Sequence, residues 1–171
     1  YGEYINLQIH RSANGGVSAG YITNGLADAG NNANFIAPFV LDPDNPNRMY
    51  GGGASLWRCD DEKQFTPFWR EARTPGSSVI SAIAPAPGYP GMVWVGQNDG
   101  QIHRSDNATA LTPTWTVVDD NDGTNPLPDR YVTRIVVDPD DAQTVYVALG
   151  GFSPDNLWRT TDGGANWTEI T

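Results

Sequence analysis

The chain is short of sulfur and of positive charge. Among 171 residues there is one cysteine, Cys59, so no internal disulfide can staple the fold and cysteine usage reveals no redox compartment. Lys63 is the only lysine, and ten Lys+Arg face 20 Asp+Glu, for a formal net charge of −10. Nucleic acid and anionic membranes are both bound through cations that displace counterions, so neither is an expected partner. No run of about 18 apolar residues occurs, so no membrane span is expected. No secretion leader opens the sequence as given. Helical stripes are missing too: no long stretch free of Gly and Pro repeats its apolar residues every three to four positions.

What is abundant points one way. Nineteen Gly, 13 Pro and 16 Asp favour turns, while six Trp, seven Tyr and five Phe supply a core. The length suits one domain able to bury that core without metal or disulfide. Many short strands joined by tight connections are expected.

The strands repeat. Ile9-His10-Arg11-Ser12, Leu56-Trp57-Arg58-Cys59, Ile102-His103-Arg104-Ser105 and Leu157-Trp158-Arg159-Thr160 share one pattern: aliphatic, ring, Arg, small. Trp69, Trp115 and Trp167 follow the last three tetrads, and Tyr21 follows the first. Alternating runs such as Val145, Val147 and Leu149 precede them. Four antiparallel strands in a repeat of roughly 45 residues predict an all-β fold, a segment of a β-propeller with about three and a half blades. A single blade cannot bury both faces, so neighbours must stack. The expected units are a half-blade over 4–26, holding two outer strands, and blades over 35–73, 79–118 and 132–170, in one segment spanning 1–171. Such a segment begins in mid-blade, so the remainder of the propeller, in the same or another chain, is an expected partner.

The run from Leu157 to Trp167 resembles the Asp-box, or bacterial neuraminidase repeat, whose Ser/Thr-x-Asp-x-Gly-x-x-Trp/Phe pattern is met by Thr160, Asp162, Gly164 and Trp167. The other three copies depart from it: Asn14 replaces the Asp, Cys59-Asp60-Asp61 lacks the Gly, and Ser105-Asp106-Asn107 shifts the Asp by one. The resemblance extends to secreted bacterial sialidase-superfamily propellers, xyloglucan-cleaving tandem propellers, sortilin-type receptors and photosystem assembly factors. It implies an extracellular, bacterial protein. It also implies that the Asp-box residues are structural, on the rim away from the ligand face.

By register, Arg11, Arg58, Arg104 and Arg159 are expected to be structural, His10 and His103 to pack like Trp57 and Trp158, and Cys59 to be an inert small residue. The ligand face is expected on the connections at the opposite end. Its candidates are Asp28, Asp99, Asp129, Tyr131, Arg134, Phe152 and Asp155, with Arg134 looking into the axial channel. Asp120, Asp122 and Thr124 hint at a calcium loop, but Asn125 stands where Gly belongs and Tyr131 where Glu belongs, so no cofactor is expected. The Phe/Tyr-Arg-Ile-Pro signature of sialidases, nucleophilic triads, phosphate loops and zinc spacings are all missing. The expected function is a binding or structural module with a glycan or protein ligand. The alternative is part of a glycoside hydrolase, sialidase-like or xyloglucanase-like, whose catalytic carboxylates lie partly outside this segment.

Overall fold

The computed structural model describes residues 1–119 and 127–171, and every regular element among them is a β-strand. Contacts divide the chain into two compact units, 1–80 and 81–171. In the first, β1 (Gly2–Glu3), β2 (Ile9–Arg11) and β3 (Gly20–Tyr21) form a three-stranded antiparallel sheet. Next come β4 (Phe39–Leu41), β5 (Met49–Gly52), β6 (Leu56–Cys59) and β7 (Trp69–Arg73), a four-stranded sheet in chain order. A third sheet follows from β8 (Ile80–Pro85), β9 (Val93–Gln97), β10 (Ile102–Ser105) and β11 (Thr116–Val117). The fourth holds β12 (Val132–Val137), β13 (Val145–Leu149), β14 (Leu157–Thr160) and β15 (Thr168–Glu169). These meanders are the expected quartets.

The first sheet departs from expectation. It has one strand more than the two outer strands assigned to 4–26: Gly2 pairs with His10 and Glu3 with Ile9. Two residues without a β-branched or aromatic side chain leave no alternation to read. The calcium hint at Asp120, Asp122 and Thr124 lies outside the described residues. Among those described, no helix is long and apolar enough to cross a membrane.

Each unit has its own core. Leu7, Ile9, Ile22, Met49, Trp57 and Trp69 fill the first, and Trp94, Ile102, Val118, Val132, Val147 and Trp167 fill the second. Full burial of such side chains stabilises by about 1.5–3 kcal/mol each. Close approach between the sheets of the second unit requires a missing side chain at Gly96, where a Cβ would lie 2.4 Å from Val132 Cγ1.

Two hydrogen bonds recur between the sheets of each unit. The Arg11 guanidinium donates to the Glu62 carbonyl, three residues after Cys59. The Arg104 guanidinium likewise donates to the Gly163 carbonyl at 3.0 Å, three residues after Thr160. In the opposite direction, Trp69 Nε1 donates to the Ile22 carbonyl at 2.5 Å and Trp167 Nε1 to the Val118 carbonyl at 2.6 Å. Arg104 also lies over the Trp94 ring, 5.5 Å from its centroid. The recurring Arg and Trp therefore bind sheet to sheet, each satisfying a polar group that packing removes from water.

Candidate functional site

Successive connections of a meander alternate between its two ends, so each sheet has a turn end, after the strand that carries its Arg tetrad, and a loop end, before that strand. At the turn end, the Thr160 hydroxyl donates to Asp162 Oδ1 at 2.7 Å and accepts the Gly164 N–H at 2.9 Å. Asp162 Oδ1 accepts the Asn166 N–H, also at 2.9 Å. These bonds, led by the Asn166 side chain, hold the Asp162 carboxyl below the ordinary carboxylate range. Gly163 and Gly164 take φ of 70° and 92°. The copy with Asn14 is the same turn: Gly15 and Gly16 take φ of 70° and 91°, Gly16 N–H donates to Ser12 Oγ at 2.8 Å, and Ser18 N–H donates to Asn14 Oδ1 at 3.0 Å. In the other two copies Asp61 Oδ1 accepts the Phe68 N–H and Asn107 Oδ1 the Thr114 N–H. The third copy is thus keyed by Asn107, not by the shifted Asp106, which instead pairs with Arg104 at 2.7 Å. All four turn ends are occupied by their own backbone.

The loop end of the second unit is different. The β9–β10 turn bends at Gly100, whose φ is 98°. A Cβ there would lie 2.7 Å from Arg130 N and 2.8 Å from Asp129 Cα, so the turn bearing Asp99 abuts the segment bearing Asp129. Beneath it, His103 Nε2 is bonded to the buried Gln97 Oε1 at 3.0 Å. Arg130 then ties this segment to the β13–β14 loop. Its guanidinium donates to the carbonyls of Pro154 at 3.0 Å and Asp155 at 2.6 Å, and to Asn156 Oδ1 at 2.9 Å. Trp158 Nε1 adds a bond to the Asp155 carbonyl, and Gly150 N–H bonds the Tyr131 carbonyl. Asp155 is held at φ 67°, an uncommon conformation for a residue with a Cβ. Phe152 projects fully into solvent and Tyr131 is partly exposed.

Asp99, Asp129, Tyr131, Phe152 and Asp155 are therefore gathered at one end of the second unit, on loops fastened by Arg130. Sequence reading passed over Arg130, since a lone arginine in a Pro-rich loop belongs to no repeat. A rigid loop offering aromatic rings and carboxylate acceptors suits a hydroxyl-rich, flat ligand.

Two of the expected ligand-face residues lie outside this cluster. Asp28 is buried in the first unit, where its Oδ2 accepts Ser55 N–H and Trp57 Nε1–H, both at 2.8 Å. It braces the β5–β6 turn instead of facing solvent. Arg134 lines a hollow on the flat face of the last sheet with Val136, Tyr146 and Leu157. A register shift between Val132 and Arg134 sets its position in the strand.

His10 packs on Tyr21, with ring centroids 3.9 Å apart, as a filler ring should. Cys59 is buried, and burial pushes its thiol up to about 12. Glu62, in the β6–β7 hairpin, is fully buried. The Tyr1 hydroxyl bonds its Oε2, its Oε1 has no hydrogen-bond partner, and burial raises its pKa. Among the described residues, no cluster of three or more His, Cys, Asp or Glu side chains could hold a metal ion.

No family model matches the chain. It is 33% identical over 150 residues to a probable oligoxyloglucan-reducing end-specific xyloglucanase of Neosartorya fischeri, over 77% of this chain and 17% of that protein. It is 29% identical over 157 residues to a xyloglucanase of Paenibacillus sp, over 80% of this chain and 14% of that protein. Among solved structures, an ancestral GH74 enzyme superposes on 96% of this chain with a TM-score of 0.65 at 21% identity, using 21% of its own length. The chain is a β-propeller segment.

The segment also resembles YCF48 from Cyanidioschyzon merolae, with a TM-score of 0.57 and 18% identity over 94% of this chain and 52% of that one. At these identities the solved structures establish the propeller fold alone. The segment spans a small part, 17 and 14%, of the curated relatives it matches. Those relatives are named xyloglucanases, one of the branches that the Asp-box resemblance implied.

Proposed function

We propose that the protein carrying this segment is a secreted propeller that handles xyloglucan-type β-glucans, and that the segment itself binds the glycan. The observation that carries the reading is the platform of Tyr131 and Phe152, fixed by Arg130 beside Asp99 and Asp129. The 33% identity to a protein named as a xyloglucanase supports the choice of glycan. Aromatic faces stack on the apolar faces of sugar rings, and nearby carboxylates accept from sugar hydroxyls.

Hydrolysis needs a proton donor and a second carboxylate about 5–10 Å apart. Asp28 is turned inward and bonded to Ser55 and Trp57. Glu62, whose pKa is raised, sits in a hairpin at the turn end of its own sheet. The second reading, supported by the xyloglucanase names of the relatives, is a hydrolase whose catalytic carboxylates lie partly outside this segment, with Asp99 and Asp129 the neighbouring pair at the platform.

Affinity electrophoresis of the chain in gels containing xyloglucan, with pullulan as control, tests the reading. Retardation in xyloglucan, lost in Phe152→Ala and Tyr131→Ala at unchanged melting temperature, is expected. Equal mobility in both gels, or retardation that survives both substitutions, refutes it.

A further inference from the structure

The flat face of the last sheet repeats, position by position, a face that is covered inside the second unit. The third sheet presents Ala84, Trp94, Ile102 and Val118 to the fourth, and all four are buried. Ladder register places Val136, Tyr146, Leu157 and Ile170 at the same positions of the fourth sheet. There they are exposed: Leu157 is 44% accessible where Ile102 is 0%, and Tyr146 is 38% where Trp94 is 0%. They line an apolar hollow of about 190 Å³.

The polar fittings repeat as well. Arg104 faces Trp94 and bonds a turn carbonyl of the next sheet. Arg159 stands opposite Tyr146 in the same register, is exposed, and has no side-chain hydrogen bond or ion pair among the described residues. The Val118 carbonyl receives the Trp167 indole N–H, and the matching carbonyl here is that of Ile170. Gly96 leaves room for Val132 to plug in, and the matching residue is the small Ala148.

We propose that this face is a blade-docking surface, occupied by a further four-stranded blade of the same polypeptide. That blade opens its inner strand with a β-branched residue seated on Ala148. Its hairpin offers a main-chain carbonyl to Arg159 and an indole N–H to the Ile170 carbonyl. The argument is continuity with the interface between the third and fourth sheets, joined to length: the curated relatives are far longer than this segment.

Hydroxyl-radical footprinting, read by mass spectrometry, compares the 171-residue chain at high dilution with the protein purified from its native source. Tyr146, Leu157 and Ile170 are labelled in the first and lose labelling in the second. Arg159→Ala introduced into the native protein lowers its melting temperature and restores labelling, while the same change leaves the 171-residue chain unaffected. Labelling retained in the native protein overturns the proposal. So does a native subunit no longer than this chain, or protection that appears in the isolated chain only as it dimerises, which would make a second copy the occupant.

Discussion

Replacing Asp28 by alanine tests the reassignment of a ligand-face candidate to a structural brace. The buried carboxylate accepts the Ser55 N–H and the Trp57 indole N–H, each at 2.8 Å. Removing it leaves two buried donors unsatisfied, at about 1–3 kcal/mol each. Some relaxation toward water is unavoidable, so a net loss of about 2–5 kcal/mol follows. For a chain of this size that is roughly 5–15 °C in melting temperature. Asp28→Asn keeps an acceptor oxygen and loses only charge assistance, so about 1–2 kcal/mol is expected. Urea unfolding followed by tryptophan fluorescence reads both, because Trp57 itself reports on the site. An Asp28→Ala variant as stable as the wild type, but with weakened glycan retention, would refute the reasoning and return Asp28 to the ligand face.

Further outcomes follow from the same contacts. Burial raises the Glu62 pKa above its ordinary 4.5, so the folded state holds a proton that the unfolded state releases, and stability falls as pH rises through that window. Glu62→Gln is therefore expected to raise the melting temperature at neutral pH and to bring no gain at acid pH, as scanning calorimetry at both would show. Gly100→Ala places a Cβ 2.7 Å from Arg130 N at φ 98°, which should cost about 1–3 kcal/mol in chemical unfolding and weaken retention on xyloglucan. Cys59, buried with its thiol pKa near 12, should ignore Ellman's reagent in the folded protein and react at once in denaturant.

The repeat made the fold legible. The tetrads holding Arg58, Arg104 and Arg159 fall in the third strand of three four-stranded meanders because an alternating strand buried by a neighbour must present the same residue types at the same places. The loop end was legible as an address: five of its seven candidates converge there. Individual orientations were not. The register shift that places Arg134 in β12 and the long-range bond that turns Asp28 toward Trp57 are encoded by no local pattern. Arg130, which ties the loops together, acts through main-chain carbonyls 24 and 25 residues away. Such bonds depend on tertiary approach and leave no periodic trace in the chain.

The four turn ends carry a consequence for how such repeats drift. What each preserves is a pair of oxygen or sulfur atoms two residues apart: Ser12 with Asn14, Cys59 with Asp61, Ser105 with Asn107, Thr160 with Asp162. The negative charge is dispensable, and so is the spacing to the residue that donates the closing N–H, four residues on in two copies and seven in the others. Evolution can therefore rewrite most letters of the motif while the corner stays bent, and a tally based on spelling will undercount blades that a tally of paired acceptors would find.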